Sequence, residues 1–523
     1  MRKPALPLLH SSLLLARFLS RAAVFCVALA GASTSLAAPA TPPAKPNVLF
    51  ICVDDLKPLL GCYGDPVAKT PNVDRLAARA VRFKAAYCNQ AVCAPSRNAL
   101  MTGLRPTTLG VYDLPTFFRK AAPDAVTVAQ YFKQNGWRTE ALGKIFHVGH
   151  GNTEDPASWT VPHWRPQVQN QYALAQNRPP PAAVDAATVD PAQAPRGAAT
   201  ECADVPDSTY ADGLIAEEAI RRLRAASERR GQPFFLAVGF LKPHLPFVAP
   251  KKYWDLYSRD LFQPHPRQTP PDGAPSFAPT PWGELRNYSD IPRLGPLSPD
   301  QQRQLIHGYY AATSYMDAQL GRVLQELHRL GLDDNTIILF WGDHGWHLGD
   351  HGMWCKHTNY EEATRIPLLV AAPAIPKGKV CSALVESVDL YPTLCELAGL
   401  PVPKGLDGRS FLAALKHPAS AKTKDAVFHV YPRSPQGIGP LLGRAVRTAR
   451  YRLVEWKRPG ALPDTAILEL YDYETDPGET QNLAGSKPQV VAQLRAILAK
   501  QPEAKPQLTT PAVVPKKKKA RKV

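Results

Sequence analysis

The sequence predicts an α/β fold built on a mostly parallel β-sheet flanked by helices. Short, nearly continuous apolar runs of strand length alternate with stretches of helical periodicity between residues 45 and 402. A helix between two strands favours a crossover connection, which makes neighbouring strands parallel. The chain has 523 residues, of which 45% are apolar and 20% charged, so it is long enough to bury the core that such a sheet needs.

The first predicted strand is 47–53, an almost unbroken apolar run between Pro46 and the pair Asp54-Asp55. Such a run is typical of a strand that is buried on both faces. Further strands with the same character are predicted at 138–142, 234–240, 336–341 and 367–371. Helices that start or end at turn residues are predicted at 73–81, 127–134, 306–330 and 389–397.

Two proline-rich stretches, 179–199 and 263–299, interrupt the alternation and predict long surface loops. After residue 403 the pattern becomes that of antiparallel strands and one final helix. These strands are predicted at 428–431, 444–456 and 468–473, and the helix at 490–499. We therefore expect a main domain over 45–402 and a smaller α+β subdomain with an antiparallel sheet over 403–500.

Both ends of the chain are basic. Residues 1–37 predict a secretory signal peptide, because arginine and lysine flank apolar runs and Ser35-Leu36-Ala37 forms a small-x-small cleavage pattern. An uncleaved membrane anchor is the alternative interpretation. No later segment approaches the roughly 20 apolar residues that span a bilayer. We expect an exported chain, periplasmic or extracellular, with no transmembrane span after cleavage.

The formal net charge of +17 is concentrated in the leader and in the lysine-rich residues 501–523, which predict a disordered tail. The remaining body is moderately basic, which helps to attract an anionic substrate. We expect no nucleic-acid partner. The nine cysteines include no CxxC pair, which argues against a zinc ribbon or a thioredoxin-type site.

The most informative segment is Cys93-Ala-Pro-Ser-Arg97, which Thr102-Gly103 extends. A thiol near a turn-forming proline, a hydroxyl and a permanent cation is in a setting that favours the thiolate. Cys93 is therefore a candidate nucleophile or metal ligand, and the alternative is an inert buried cysteine. The fixed offsets of the surrounding residues favour the functional interpretation.

Acidic side chains follow two of the predicted strands. Asp54 and Asp55 end the first strand, and Asp343-His344 follows the strand at 336–341. Ligands of open α/β sheets bind at the carboxyl ends of the strands, so these side chains should converge. Three converging carboxylates repel one another unless a cation lies among them. Oxygen ligands favour Ca²⁺ or Mg²⁺ over a soft metal.

Basic side chains follow other strands. Lys144 and His147 come after the strand at 138–142, and His244 comes after the strand at 234–240. Each histidine alone is more often structural, but the repeated position after a strand end favours a role at the same edge. Lys356 follows a glycine-rich loop and is a further candidate cation.

Together these segments resemble the type I sulfatases of the alkaline phosphatase-like superfamily, and most closely the iduronate-2-sulfatase group. The resemblance covers about residues 45–500, and its segments occur in the order found in that family. They are 47–55, 70–76, 93–103, 131–136, 143–147, 242–247, 343–346, 470–472, 476–479 and 482–484.

The resemblance implies that Cys93 is oxidised to formylglycine by a formylglycine-generating enzyme or an anaerobic sulfatase-maturating enzyme. It implies one metal ion, Ca²⁺ rather than Mg²⁺. Its implied ligands are Asp54, Asp55, Asp343, His344 and the modified Cys93. Arg97 would stabilise the aldehyde hydrate, and Lys144 and Lys356 would hold the sulfate oxygens where negative charge accumulates.

By the same resemblance, a hydroxyl of the hydrate attacks sulfur in line with the departing sugar oxygen. His244 would protonate that oxygen and His147 would act as the base that releases sulfate, although sequence order leaves these roles interchangeable. The implied substrate is a sulfated carbohydrate. Two kinds of substrate remain as alternatives: a glycosaminoglycan that contains a 2-O-sulfated uronic acid, and another sulfated polysaccharide.

Three alternative functions remain at this point. A phosphomonoester or phosphonate ester hydrolase of the same superfamily would share the metal site, Cys93 and Arg97. A non-catalytic glycan-binding homologue would retain the fold without turnover. A zinc peptidase is suggested only by His347 and His351, which lack the adjoining glutamate of the peptidase motif.

Overall fold

The computed structural model describes residues 45–168, 171–179, 196–229 and 231–508. The predicted signal peptide, most of the proline-rich loop at 179–199 and residues 509–523 of the predicted tail lie outside the described residues. Within those ranges, no helix has both the length and the apolar character that a membrane span requires.

Strand β1 (Asn47–Val53) is buried along its whole length. Val48 and Phe50 contribute to one hydrophobic core, whereas Leu49 and Ile51 contribute to another. This alternation accounts for the continuous apolar run in the sequence, since both faces of the strand are covered. The other strands of the described residues are β2 (Val81–Phe83), β3 (Ala86–Tyr87), β4 (Arg138–Gly143), β5 (Thr200–Ala203), β6 (Phe234–Phe240), β7 (Phe247–Pro250), β8 (Thr336–Gly342), β9 (His347–Leu348), β10 (Trp354–Cys355), β11 (Leu368–Ala371), β12 (Lys379–Cys381), β13 (Val385–Glu386), β14 (Ala426–Arg433), β15 (Leu441–Thr448), β16 (Tyr451–Lys457) and β17 (Ile467–Asp472).

Seven strands form the main sheet in the order β12-β2-β11-β8-β1-β6-β4. β1 is parallel to both of its neighbours, β6 and β8, and β4 is parallel to β6. β11 is antiparallel to β8 and to β2. The predicted mostly parallel sheet is therefore confirmed, with one reversed strand.

Helices cover both faces of the main sheet. One core contains side chains of α6 and α9, and the opposite core contains side chains of α5 and α11. The helices are α1 (Pro71–Ala77), α2 (Cys93–Thr102), α3 (Pro106–Leu109), α4 (Phe118–Ala121), α5 (Val128–Gln134), α6 (Ala211–Glu228), α7 (Lys251–Trp254), α8 (Gly283–Arg286), α9 (Pro299–Arg329), α10 (Glu361–Thr364), α11 (Leu390–Leu397), α12 (Leu412–Lys416) and α13 (Pro488–Leu498).

Several predicted boundaries differ from the observed ones. The helix predicted at 73–81 ends at Ala77, and β2 begins at Val81. α9 begins at Pro299 rather than at residue 306, because its first turns are polar and carry no apolar periodicity. Ser298 and Gln301 form a capping box there, in which the Ser298 hydroxyl accepts a hydrogen bond from the Gln301 N–H at 3.2 Å.

The C-terminal region forms a separate four-stranded antiparallel sheet, β14-β15-β16-β17. The predicted segment 444–456 is thus two strands joined by a turn. Helix α13 packs on this sheet through Val491 and Leu494. Residues 501–508, the first of the predicted tail, lie within the described residues and contact the main domain. The Lys505 N–H donates a hydrogen bond to the Thr107 carbonyl at 3.0 Å, which attaches this part of the tail to the main domain.

Candidate active site

The candidate site lies at the edge of the main sheet where the parallel strands end. Asp54 follows β1, and its N–H donates to the Phe240 carbonyl of β6 at 3.2 Å. Asp343 follows β8, and its N–H donates to the carbonyl of Val53, the last residue of β1, at 3.1 Å. Lys144 follows β4 and donates its N–H to the Gly239 carbonyl at 3.0 Å. Parallel strand direction therefore brings these three predicted side chains to one edge.

Two glycines allow β4 and β6 to approach closely at this edge. A Cβ atom on Gly143 would lie 2.1 Å from the Gly239 carbonyl oxygen, and one on Gly239 would lie 2.2 Å from the Lys144 carbonyl oxygen. Gly143 also has a φ of +71°, a conformation that L side chains disfavour. Larger residues here would displace Lys144 from the edge.

Cys93 is the first residue of α2, a helix that is buried throughout. Its Sγ lies 3.4 Å from Nε2 of His344 and 3.5 Å from Nζ of Lys144. The first turn of a helix also presents unpaired N–H groups, which favour negative charge. The thiol is therefore held between an imidazole and an ammonium group.

Arg97 lies one turn further along α2 and has no exposed surface. Its Nε donates to Oδ2 of Asp343 at 2.9 Å, and its Nη2 donates to Oδ1 of Asp54 at 3.0 Å. Nη1 donates to the carbonyl oxygens of Lys144 and Ile145. The planar guanidinium thus fixes two carboxylates and the end of β4 at once.

Two overlapping sets of side chains are close enough to hold a metal ion, with one ligand atom per residue and all atoms of a set within 4.8 Å of one another. The sets are Asp54, Cys93, Asp343 and His344, and Asp54, Asp55, Cys93 and His244. Buried carboxylates repel one another without a cation between them. Each set combines two carboxylates with one thiol and one imidazole, and carboxylate oxygens are the donors that a hard divalent cation prefers.

The two adjacent aspartates differ in their electrostatic environment. Burial alone would raise the pKa of Asp54, but Lys144 and Arg97 hold it well below its usual range. The Lys144 ammonium donates directly to the Asp54 carboxylate. Burial, only partly offset by His244, raises the pKa of Asp55 to about 6. Asp55 therefore gains most from an additional cation.

His344 is surrounded by acceptors. Its Nε2 lies 3.3 Å from Oδ1 of Asp55 and 3.6 Å from Oδ2 of Asp343, and its Nδ1 lies 3.0 Å from the Gly345 carbonyl oxygen. Burial would lower the pKa of His344, yet Asp343 and Cys93 raise it to about 10. A proton or a metal ion is therefore favoured at Nε2.

Lys356 and His244 meet at Glu284, a residue that the sequence analysis missed. Lys356 Nζ lies 3.0 Å from Oδ2 of Asp55 and 2.8 Å from Oε2 of Glu284. His244 Nε2 lies 3.2 Å from Oε1 of Glu284 and 3.8 Å from Oδ2 of Asp55. Glu284 lies on α8, inside the proline-rich stretch 263–299, where no motif marks it.

His147 contacts a second unpredicted residue, His150. Nε2 of His147 lies 3.2 Å from Nδ1 of His150, and the two rings stack with centroids 5.4 Å apart. Among the described residues, the buried Nδ1 of His147 has no hydrogen-bond partner. Burial, reinforced by Lys144, lowers the pKa of His147 to about 3, so its ring is neutral at neutral pH.

These side chains open into a cavity of about 710 Å³, which is lined by Cys93, Lys144, His147, His244 and Lys356. Its lining also includes the apolar side chains Leu114, Phe146, Val148 and Val168. A cavity of this size accommodates a ligand much larger than a sulfate group.

The zinc-peptidase alternative does not match the structure. Nδ1 of His347 lies 2.5 Å from Oδ2 of Asp350, and its Nε2 lies 2.8 Å from the Thr358 hydroxyl. Nδ1 of His351 lies 3.3 Å from the Thr269 carbonyl oxygen. Both nitrogens of His347 are thus engaged, and neither histidine belongs to a metal-binding cluster within the described part of the chain.

The mostly parallel sheet has the architecture expected of a hydrolase of the alkaline phosphatase-like class, and a carboxylate-containing donor set and a cysteine lie at the carboxyl ends of its strands. The model of the sulfatase family matches residues 46–400. The model of the C-terminal region of N-sulphoglucosamine sulphohydrolase matches residues 349–504. The chain belongs to the sulfatase family and is a sulfuric ester hydrolase.

Known proteins similar to the chain span most of its length. Human iduronate 2-sulfatase is 35% identical over 84% of this chain and 90% of its own. A solved structure in complex with its substrate D-glucosamine-2-N,6-O-disulfate is 22% identical, with a TM-score of 0.67, over 87% of this chain and 97% of that one. The phosphonate monoester hydrolase of Agrobacterium radiobacter has the same identity and TM-score, over 87% and 95%. The two structures show a shared fold.

Proposed function

We propose that the chain hydrolyses sulfate esters of a carbohydrate, with the 2-O-sulfate of a uronic acid as the favoured substrate. The observation that carries this proposal is the convergence of Cys93, Arg97, Lys144 and the acidic cluster at one end of a ligand-sized cavity. The identity to human iduronate 2-sulfatase, 35% over most of both chains, supports the choice of sugar and position.

We propose that a formylglycine made from Cys93 supplies the attacking hydroxyl and that a Ca²⁺ ion supplies positive charge beside it. Asp54, Asp55, Asp343, His344 and the modified residue 93 would hold the ion. Arg97 keeps Asp54 and Asp343 in position through its two ion pairs. The ammonium of Lys144, 3.5 Å from Sγ of Cys93, is placed to bind an oxygen of a sulfate group at residue 93.

The histidines supply the proton transfers in this proposal. We assign His244, whose Nε2 lies 3.2 Å from Oε1 of Glu284, as the acid that protonates the leaving sugar oxygen. We assign the role of base to His147 because it lines the cavity together with Cys93 and its ring is neutral at neutral pH; the same burial and the charge of Lys144 make it a weak base in this state. Lys356 also lines the cavity and would bind a second sulfate oxygen.

The proposal includes export and maturation. The predicted signal peptide would direct the chain to the periplasm or the extracellular space. A formylglycine-generating or an anaerobic sulfatase-maturating enzyme would convert the thiol. Intact-mass measurement of the purified protein tests this step, because the aldehyde differs in mass from the cysteine.

Turnover of an aryl sulfate and of the matching aryl phosphate tests the reaction itself. We expect the sulfate to be the better substrate, and we expect Cys93→Ala to lower its kcat at least about 10³-fold. Cys202→Ala, which removes an exposed cysteine, is the matched control and should leave the rate unchanged. Faster phosphate turnover, or full activity of Cys93→Ala, would contradict the proposal. A panel of position-defined sulfated saccharides then identifies the sugar.

A further inference from the structure

The cations that line the active-site cavity are not equivalent. Lys144 is paired with Asp54, and Lys356 is paired with Asp55 and Glu284. A further arginine of the wall is likewise paired with a glutamate: Arg165 contacts Glu154. The exception is Arg196, which has no acidic ion-pair partner among the described residues.

Arg196 is held in place by uncharged groups. Its main-chain N–H donates to the Asn287 carbonyl at 3.2 Å. Its Nη1 donates to the Tyr288 hydroxyl at 3.2 Å, and the guanidinium lies 5.3 Å from the centre of the Tyr288 ring. The guanidinium is therefore oriented at the cavity wall without a direct ion pair among the described residues, and Glu284 acts on it only from a longer distance.

A guanidinium without a direct ion pair, in a partly desolvated wall, favours an anion, because a planar fork of N–H donors binds carboxylate or sulfate oxygens in pairs. The cavity of about 710 Å³ leaves room for a sugar beyond the sulfate that occupies the position at Cys93. The apolar side chains Leu114 and Val148 provide no competing charge.

We infer that Arg196 binds a second anionic group of the substrate, a carboxylate or a second sulfate, while the ester to be cleaved lies at Cys93. This inference rests on the proposed function and extends it. It makes Arg196 a specificity-determining residue, because it selects doubly anionic sugars over singly anionic sulfate esters.

The test compares Arg196→Gln and Arg196→Lys with the parent. Dissociation constants are measured by calorimetry in a Cys93→Ala background, where no turnover occurs. The ligands are a 2-O-sulfated uronic acid, the same sugar with its carboxylate reduced to an alcohol, and a disulfated neutral sugar. Arg458→Gln, at an exposed surface position away from the cavity, is the control for the loss of an arginine.

We expect Arg196→Gln to weaken binding of the doubly anionic ligand about 10- to 100-fold, and to weaken the reduced sugar much less. Arg196→Lys should recover part of the loss, since it keeps the charge but not the fork. A selective loss with the uronic acid identifies a carboxylate as the partner, and a selective loss with the disulfated sugar identifies a sulfate.

Equal losses on singly and doubly anionic ligands, or no loss at all, would overturn the inference. Absence of binding of every saccharide to the Cys93→Ala protein would overturn it as well. The proposed function fails differently, through absence of sulfate ester turnover by the protein with Cys93 intact. The binding comparison measures the contribution of Arg196 to affinity whether or not the parent turns over sulfate esters.

Discussion

We expect calcium to stabilise the Arg97→Ala variant against thermal unfolding more than it stabilises the parent. Arg97 has no exposed surface and forms ion pairs with Asp54 and Asp343 at 3.0 and 2.9 Å. Its removal leaves two buried carboxylates without their shared counter-ion. In the proposed site the same carboxylates bind the metal ion, so calcium can take over part of the lost neutralisation.

The magnitude follows from these contacts. Removal of one partner of a buried ion pair costs about 3–5 kcal/mol. The unfolding entropy is about 2.1 cal/mol/K per residue, which gives about 1 kcal/mol/K for a chain of this length. Dividing the lost free energy by this entropy predicts that the Tm of Arg97→Ala falls by about 3–5 °C without calcium. Calcium at about 100 times its Kd stabilises the parent by about 2.7 kcal/mol. The gain in Arg97→Ala should be larger, because the ion no longer competes with a guanidinium.

The assay is thermal unfolding of parent and variant in a chelator and in a calcium series. Arg452→Ala is the matched control, since Arg452 is equally buried and is paired with Glu479 in the region of the C-terminal sheet. We expect that variant to lose stability and to gain no more from calcium than the parent does. If calcium stabilised Arg97→Ala no more than the parent, the reasoning about shared carboxylates would be refuted.

Two further predictions concern Glu284 and Glu386. Glu284→Gln removes the charge that Lys356 and His244 share and should lower kcat/KM for sulfated substrates about 10- to 100-fold, measured beside Glu284→Asp as the conservative variant. Burial would raise the pKa of Glu386, but Lys424 and Arg105 together lower it to about 2. The stabilisation is therefore complete above the unfolded pKa near 4.3 and is lost as pH falls toward 2. Glu386→Gln should lower the free energy of unfolding, measured by urea denaturation, by about 2–3 kcal/mol at pH 7. This difference between variant and parent should shrink below pH 4, and a difference that stayed constant would contradict the account.

The main sheet was predictable because its strands are buried on both faces. β1 and β6 coincide with their predicted ranges, since a continuous apolar run marks each strand and a turn or polar residue marks its ends. Residues directly after these strands were predictable for the same reason. Once Asp54, Asp343 and Lys144 are placed after parallel strands, the geometry of the sheet brings them together.

Other elements carried no such pattern. The short strands β9 and β10 have two residues each, which is too few for a recognisable period. Glu284 and Arg196 lie in or beside proline-rich stretches, where neither periodicity nor a motif assigns a position. Their roles depend on contacts across large sequence separations, such as the contact of Glu284 with Lys356 and His244. A single sequence gives no information on such contacts.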